Sequence, residues 1–279
     1  MIRPTLRKNR NLYLTLIVLV PLNFGGGCDD GGPAPLVNWQ DEFDGPAGQS
    51  PDAARWRYDV GTDWGNAQLE YDTARPTNVS LDGAGHLAIT ARREDYGVGA
   101  ELRHYTSARI TTQGLFQQAA GRFEARIRLP VGQGMWPAFW LLGADFPTVG
   151  WPNCGEIDIM EYRGQEPNVV IGSLHGPVYS GAAAVTRRFN LAGPGFDADF
   201  HVFAIEWDFD HITWLVDGVP YQTVTPANLP ARGRWVFDHP FFIILNVAVG
   251  GNFVGPPDPT TTFPQTMLID WVRVVPRVQ

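Results

Sequence analysis

Hydrophobic and polar residues alternate along several segments of the chain with the two-residue period of a β-strand. In GRFEARIRLP (121–130) charged and apolar side chains take turns, which predicts a strand with one buried face. Residues 203–210 alternate in the same way. Residues 212–224 do so around Asp217 and the glycine that follows it, a favoured hairpin turn. Residues 80–90 predict a second hairpin, with its turn in the sequence DGAG.

Two further apolar segments complete the strand pattern. PFFIILNVAVGG (240–251) is almost entirely apolar and is bounded by proline and glycine, as expected of a strand buried on both faces. LIDWVRVV (268–275) predicts a last strand. No amphipathic helix of ten or more residues is evident, and 31 glycines and 23 prolines mark turns throughout. The chain is therefore predicted to be all-β, a sandwich of two antiparallel sheets with Trp207, Trp214 and Trp271 in its core.

Three carboxylates interrupt the strand pattern in the sequence GEIDIMEY. Glu156, Asp158 and Glu161 are separated only by apolar residues, although acids are depleted from strands and like charges on one face repel. On a regular strand Glu161 would point away from the other two. A β-bulge at Ile159 and Met160 would absorb one residue and bring all three carboxylates to one face, and bulges are frequent beside active sites.

Such a cluster suits retaining glycoside hydrolysis, in which two carboxyl groups about 5 Å apart act as nucleophile and as acid/base. The middle Asp158 would then bond to the nucleophile and help to separate the two pKa values. A metal site is one alternative, although hard cations usually take oxygen ligands from a flexible loop. A solvated acidic strand without a function is the other.

Aromatic residues accompany the acids. LPVGQGMWPAFWLLG (129–143) contributes Trp136 and Trp140, and WGNAQLEYDT (64–73) places polar side chains beside Trp64. Flat aromatic faces pack against the C–H surfaces of sugar rings, while amide and carboxyl groups bind hydroxyls. These surroundings favour a polysaccharide substrate.

The N-terminal residues follow a different pattern. Four cations and no acid precede an apolar run at 12–22, which is shorter than the ~20 residues of a membrane-spanning helix and is typical of an export signal. We expect a signal peptide at 1–27. Cys28 resembles the acylated cysteine of bacterial lipoproteins, with 28–36 as a Gly/Pro-rich tether; without acylation the protein would be secreted. Residues 37–279 are expected to form one catalytic domain.

The charge of the chain argues against several partners. The net charge of −8 becomes −12 when the four N-terminal cations leave with the signal peptide, and no lysine remains. Nucleic acids and anionic membranes are therefore not expected as partners. Cys154 is the only cysteine besides Cys28, so a disulfide framework is not expected, and a bridge between the two is a remote alternative. We expect a monomer that needs no cofactor for its chemistry and lies outside a bacterial cell or on its envelope.

The segments LPVGQGMWPAFWLLG and WPNCGEIDIMEY together resemble glycoside hydrolase family 16, in particular its laminarinase-like branch with a bulged E-x-D-x-x-E motif. The similarity extends from NWQDEFDG (38–45) to the last predicted strand. It implies a β-jelly-roll sandwich of the concanavalin A-like type with a concave substrate cleft. It also implies endo-acting, retaining cleavage of β-glucan, with Glu156 as nucleophile, Glu161 as acid/base and Asp158 as helper.

The same resemblance assigns further residues to the cleft. Trp136 and Trp140 would line it near the cleaved bond, and Asn66 and Arg75 would contact sugars on the non-reducing side. His175 matches a cleft histidine of the family, although a hydrogen-bonded strand histidine without a catalytic part is a comparable reading.

The resemblance also implies a structural calcium ion away from the cleft. Glu42 and Asp270 fall at the matching places, but each could equally be an ordinary surface acid.

Two departures from the family pattern concern the choice of substrate. The motif G-N-x-E-L-Q-Y-Y reads GNAQLEYD here, so that Gln68 and Glu70 exchange the usual positions, and Phe253 stands where tryptophan is common. Both changes lie in predicted sugar-contacting loops. β-1,3-Glucan is the expected substrate, with mixed-linkage glucan next and a galactan such as agarose or carrageenan third. A noncatalytic glycan-binding protein is the alternative from another class.

Overall fold

The computed structural model describes residues 39–276, whose regular secondary structure is almost entirely β. The strands are β1 (Trp39–Asp41), β2 (Arg57–Tyr58), β3 (Glu70–Asp72), β4 (Val79–Leu81), β5 (Leu87–Tyr96), β6 (Arg103–Ser107), β7 (Arg109–Thr111), β8 (Gly121–Arg128), β9 (Met135–Gly143), β10 (Glu156–Tyr162), β11 (Val169–His175), β12 (Val185–Asn190), β13 (His201–Asp208), β14 (His211–Val216), β15 (Val219–Val224), β16 (Phe241–Val249) and β17 (Gln265–Val275). The helical segments of this part are α1 (Phe146–Val149) and 3₁₀ turns at Gly99–Glu101, Gly181–Ala183 and Pro226–Asn228. Within these residues no helix has both the length and the apolar character needed to span a membrane. The predicted signal peptide and the tether with Cys28 lie outside the described residues.

The strands form two sheets, as predicted. The ten-stranded sheet has the order β15-β14-β13-β8-β17-β5-β6-β3, with β1 paired to β17 and β4 paired to β5. The seven-stranded sheet has the order β12-β11-β10-β9-β16-β7-β2. The pairings within both sheets are antiparallel apart from β3 with β6, which is parallel. Strands far apart in sequence, such as β9 and β16, are neighbours, so the chain crosses repeatedly between the sheets of a β-sandwich.

The main hydrophobic core lies between the two sheets. β8 alternates buried and half-buried residues and β16 is buried throughout, which confirms both predicted kinds of strand. β4 with β5 and β14 with β15 form the two predicted hairpins. Trp207 and Trp214 are buried, as predicted. The prediction for Trp271 was wrong: Asp270 is an extra residue in the pairing of β17 with β8, so Trp271 lies opposite Arg126 on the outer face and is only half-buried.

β10 carries the predicted β-bulge. Asp158 pairs with Trp140 of β9 and Met160 pairs with Phe139, so Ile159 is an extra residue on the β10 side. The pairing of β10 with β11 shifts over the same residues. Because side chains alternate between faces along a strand, this one extra residue reverses the face of every residue that follows it.

A tryptophan of the ten-stranded sheet holds the bulge from the core side. The indole N–H of Trp214 donates to the carbonyl oxygen of Asp158 at 2.8 Å. The indole fits there because residue 172 of β11 is glycine: a Cβ on Gly172 would lie 2.5 Å from the Trp214 ring and 2.4 Å from the hydroxyl of Tyr221. A backbone carbonyl that the bulge removes from the strand ladder thus keeps a hydrogen-bond partner inside the core.

Trp214→Phe is expected to destabilise the domain by about 1–3 kcal/mol, because it leaves the buried carbonyl of Asp158 without a donor. The free energy of unfolding from urea denaturation measures this loss. Trp271→Phe is the matched control: this tryptophan is half-buried on the outer face, and its replacement should change the stability by no more than about 0.5 kcal/mol. Equal losses in the two variants would contradict the role given to the indole N–H.

Candidate active site

The bulge places the three acids of β10 on one face of the seven-stranded sheet. Glu156, Asp158 and Glu161 each lie opposite an alternate residue of β9 and an alternate residue of β11, and directly opposed residues share a face. The partners in β9 are Leu142, Trp140 and Ala138, and those in β11 are His175, Ser173 and Ile171. The intervening Ile157 and Met160 belong to the inter-sheet core. The carboxylates therefore point away from the core in one row.

Burial raises the pKa values of all three carboxyl groups, and repulsion by Asp158 adds to the shifts of both glutamates. Asp158 is buried, and burial raises its pKa to about 7. Burial, followed by the charge of Asp158, raises the pKa of Glu156 to about 8 and that of Glu161 to about 8. The three groups titrate as one coupled set. A site of this kind retains a proton near neutral pH, which a general acid requires.

His175 lies directly beside the acids. Its Nδ1 accepts a hydrogen bond from the backbone N–H of Gly181 at 3.1 Å, so a neutral imidazole carries its proton on Nε2. Nε2 is 2.9 Å from Oδ2 of Asp158 and 3.6 Å from Oε1 of Glu156. The ring thus directs its N–H side toward the first two acids of the row, and the prediction that His175 lies in the cleft agrees with this position.

Each outer glutamate has a tryptophan N–H as a neighbour. The indole of Trp136 donates to Oε1 of Glu161 at 3.1 Å, as its predicted place near the cleaved bond would require. The side chain of Trp151 hydrogen-bonds Glu156 and has its ring centroid 6.1 Å from that of His175. Trp151 was missed from the sequence, and the only available signal was its place five residues before Glu156 in WPNCGE. Both hydrogen bonds favour the ionised carboxylates.

The other three predicted cleft residues lie at different distances from the acids. They are Trp140, Asn66 and Arg75. Trp140 is the direct neighbour of Asp158 on β9. Asn66 is exposed, in the loop before β3, with a left-handed φ of 54°. Arg75 does not adjoin the acids: its guanidinium bonds to Asn78, Glu94 and Thr106, and about a third of its side chain stays exposed. Contact of Asn66 and Arg75 with sugars stays a prediction.

The two predicted calcium ligands are engaged with arginines. Glu42 accepts two hydrogen bonds from Arg273, at 2.8 and 2.9 Å, and Asp270 accepts one from Arg126. Each carboxylate already has a cationic partner, whereas calcium prefers a shell of oxygen ligands directed at one point. In this arrangement Glu42 and Asp270 do not fit a shared calcium ion.

Cys154 is a buried free thiol close to the acids. It packs with Leu142, Phe242 and Ile244 in a small cluster separate from the main core. Burial, then the charges of two nearby carboxylates, raises its pKa to about 12. The thiol is therefore neutral and unreactive, and it has no place in the chemistry of the site.

The chemistry open to this site is that of paired carboxyl groups. Two half-buried glutamates flank a buried aspartate on one face, a histidine N–H adjoins two of them, and tryptophans border both ends of the row. Such an arrangement defines a carboxylate-dependent glycoside hydrolase.

Comparison with known proteins agrees with this class. The sequence profile of Glycosyl hydrolases family 16 matches residues 63–273, and the chain belongs to this family. A beta-glucanase of Rhodothermus marinus is 40% identical over 276 residues, which cover 95% of this chain and 93% of that protein.

Two solved structures share the fold. The laminarinase catalytic domain of Thermotoga maritima superposes with a TM-score of 0.82 and 44% identity, over 87% of this chain and 98% of that one. The endo-beta-1,3-glucanase of Pyrococcus furiosus has a TM-score of 0.82 and 45% identity, over 87% and 95% of the respective chains. The β-jelly-roll sandwich and the laminarinase-like branch expected from the sequence are confirmed.

Asp158→Asn is expected to move the alkaline limb of the pH profile of kcat/KM to lower pH. The charge of Asp158 raises the pKa of both glutamates, so its removal lets the glutamate that acts as acid lose its proton earlier. The profile should be measured on a soluble oligosaccharide, with Asp52→Asn on an exposed loop as the control. An unchanged or more alkaline limb in Asp158→Asn would contradict the electrostatic role of this residue.

Proposed function

We propose that this family 16 enzyme is an endo-acting β-1,3-glucanase that hydrolyses laminarin-type glucan with retention of configuration. The observation that carries the proposal is the row of Glu156, Asp158 and Glu161 on one face of the bulged strand β10. The relatives that share at least 40% of its residues over most of the chain include a beta-glucanase, a laminarinase and an endo-beta-1,3-glucanase. These names support the substrate class.

The proposed reaction has two steps. In the first, the carboxylate of Glu156 attacks the anomeric carbon while Glu161 gives its proton to the glycosidic oxygen, so that the bond between the two sugars breaks and the leaving fragment departs. In the second, Glu161 takes a proton from water, the water oxygen attacks the anomeric carbon, and Glu156 is released. Each step inverts the anomeric carbon, so the product keeps the original configuration.

The neighbours of the acids have supporting roles in this scheme. The N–H of Trp151 and the Nε2 side of His175 stabilise negative charge on Glu156 as it attacks and again as it leaves. Burial, with the charge of Asp158 added to it, keeps the pKa of Glu161 high, so that this residue still holds a proton when substrate binds. Trp136 positions Glu161 by its hydrogen bond and offers an aromatic surface to a sugar ring.

The aromatic surface near Glu161 bears on the choice of substrate. Phe253 packs on Trp136 with ring centroids 4.9 Å apart, and Arg163 lies 4.2 Å from the centre of the Phe253 ring. Phe253 thus supplies an aromatic contact where family members commonly have tryptophan. A flat ring at this place supports β-1,3-glucan as first choice, with mixed-linkage glucan and galactans as the alternatives to be tested.

Release of reducing ends from laminarin, lichenan, agarose and carrageenan tests the proposal. We expect short oligosaccharides from laminarin, none from the Glu156→Gln variant, and binding of laminarin retained by that variant. Glu124→Gln is the matched control: this acid of the ten-stranded sheet has 16% of its side chain exposed against 17% for Glu156, and its replacement should leave activity intact.

Each other outcome of this experiment has a distinct meaning. Cleavage of a galactan alone would reject the glucan assignment and keep the chemistry. Binding without cleavage across the panel would make the protein a noncatalytic glycan-binding protein. A first-formed α-anomer from the β-linked glucan, detected by NMR, would reject the retaining mechanism.

We also propose that the protein is exported and acylated at Cys28. The four cations before the apolar run at 12–22 and the Gly-rich segment before Cys28 support this proposal. The mass of the protein recovered from its bacterial host tests both processing and acylation. We expect loss of residues 1–27 and a diacylglycerol on Cys28. A Cys28→Ser variant should lack the lipid. An unprocessed N-terminus would contradict export through this signal.

A further inference from the structure

Arg109 of β7 lies on the same face of the seven-stranded sheet as the catalytic acids. Arg109 pairs with Asn246 of β16, Asn246 pairs with Ala138 of β9, and Ala138 pairs with Glu161 of β10. Directly opposed residues share a face. Arg109 and Glu161 therefore stand in one row across the sheet, three strand spacings or about 14 Å apart.

The guanidinium of Arg109 lies between two indoles. Its Cζ is 4.9 Å from the ring centre of Trp64 and 4.9 Å from the ring centre of Trp140. Its Nε donates to Asp59 at 3.0 Å, and the indole N–H of Trp140 donates to Oδ1 of Asn246 at 2.8 Å. Only 15% of the Arg109 side chain is exposed. A cation held in this way fixes both rings relative to the sheet.

Two buried carboxyl groups of β3 lie within electrostatic range of this cation. Glu70 and Asp72 are 1% and 2% exposed, and as residues two apart on a strand they face the same way. Oε2 of Glu70 accepts a hydrogen bond from the backbone N–H of Val249 at 2.7 Å. Oδ1 of Asp72 and Nε1 of Trp64 are both buried and lack a regular hydrogen-bond partner, although the two side chains interact.

The two carboxyl groups hold a proton near neutral pH. Burial raises the pKa of Glu70 to about 7, and burial together with the charge of Glu70 holds the pKa of Asp72 well above its usual range. Arg109 opposes both shifts, and Asp59 adds to the shift of Asp72. Two carboxylates in one buried site with one nearby cation share a proton until the pH rises.

The segment before β3 is tied to the end of β16 at this place. The N–H of Leu69 donates to the carbonyl of Val249 at 2.8 Å, and the N–H of Asn252 donates to the carbonyl of Asn66 at 2.7 Å. Glu70 adds its side-chain bond to the N–H of Val249. The loop that carries Trp64 and Asn66 is thus anchored at the end of β16, where the side chain of Glu70 is also bonded.

We propose that Arg109 is a positioning residue for glucan binding: held by Asp59 and lying within electrostatic range of Glu70 and Asp72, it fixes Trp64 and Trp140 as one sugar-binding surface beside the catalytic acids. This inference rests on the proposed function, which supplies the glucan. The residues of this network do not touch the reacting atoms, so its loss should weaken binding more than it slows the chemical step. Glu70 stands where the family motif has glutamine, so the shared proton is a property of this chain.

Replacement of Arg109 tests the positioning role. In the Glu156→Gln background, which binds without turnover, Arg109→Leu should raise the Kd for laminarin oligosaccharides by about tenfold, the scale of a lost buried cation–π contact. In the active enzyme it should raise KM by a similar factor while kcat changes less. Arg109→Lys keeps the charge without the planar group, so its Kd and KM should lie between those of Arg109→Leu and those of the protein with Arg109 intact.

Arg122→Leu is the matched control for this experiment. Arg122 is a partly buried arginine in the ten-stranded sheet, paired with Glu124 and Glu206, and its loss should leave the Kd unchanged. Thermal unfolding must show that each variant is folded at the temperature of the assay. A Kd for Arg109→Leu equal to that of Arg122→Leu, or a fall in kcat with unchanged KM, would overturn the positioning role.

A pH series with Glu70→Gln provides the second test. As the pH rises above about 7, the pKa of Glu70, the buried pair begins to lose its shared proton, and the repulsion that follows should weaken binding in the Glu156→Gln background by at least about threefold. The Glu70→Gln variant keeps an oxygen for the N–H of Val249 but has no charge to gain, so its affinity should change less over the same range. Parallel pH curves with and without Glu70→Gln would overturn the part assigned to the carboxyl pair.

The experiments can reject the role of Arg109 and the glucan assignment independently of each other. If the Glu156→Gln variant binds no laminarin oligosaccharide, the substrate assignment has failed. The same comparison of Arg109→Leu with Arg122→Leu is then made on the polysaccharide that the active enzyme cleaves, and equal affinities there would overturn the inference.

Discussion

The hydrogen bond between the Trp214 indole and the carbonyl of Asp158 links the packing of the two sheets to the geometry of the active site. The bulge at Ile159 removes this carbonyl from the ladder, and a buried carbonyl without a donor would be costly. A tryptophan from the opposite sheet supplies the donor, and Gly172 leaves the room for its ring. The packing of the two sheets therefore stabilises the bulge that brings Glu161 to the same face as Glu156 and Asp158.

Acids with raised pKa values are concentrated on this face and on strand β3. The pKa values of Glu156, Asp158, Glu161, Glu70 and Asp72 are all raised, chiefly by burial. For such groups the folded state binds protons more tightly than the unfolded chain. Their contribution to stability is therefore fully present below their unfolded pKa values, near 4, and is lost as the pH rises through about 7 and 8. The fold tolerates this cost at the place where polysaccharide chemistry needs protonated carboxyl groups.

Local patterns in the sequence were enough to predict the strands and the row of acids. The alternation in β8, the apolar run of β16 and the extra residue between Asp158 and Glu161 each report on the residues immediately around them. The face of Trp271 was not predictable in this way, because it depends on a register shift at Asp270 that only the pairing with β8 reveals.

Contacts between distant segments were equally hidden in the sequence. Trp151 reaches Glu156 through a turn whose course the sequence does not specify, and Arg109 meets Trp64 and Trp140 only after three segments have come together. The resemblance to the family placed Glu42 and Asp270 at calcium-ligand positions, and their arginine partners, Arg273 and Arg126, lie too far away in sequence to be read from the pattern. Charge pairing across a sheet carries no local signature, and contacts of this kind therefore could not be predicted from the sequence.

Cys154 gives the domain an internal reporter of its own motions. Its thiol is neutral and packed among Leu142, Phe242 and Ile244, two residues before Glu156. A thiol-specific reagent can react with Cys154 only while this cluster is locally open. The rate of labelling therefore reports how often the structure around Cys154, next to Glu156, opens. A ligand that covers β10 in the cleft would lower the rate of labelling. Mass spectrometry of the labelled protein would then measure occupancy of the site without any turnover of substrate.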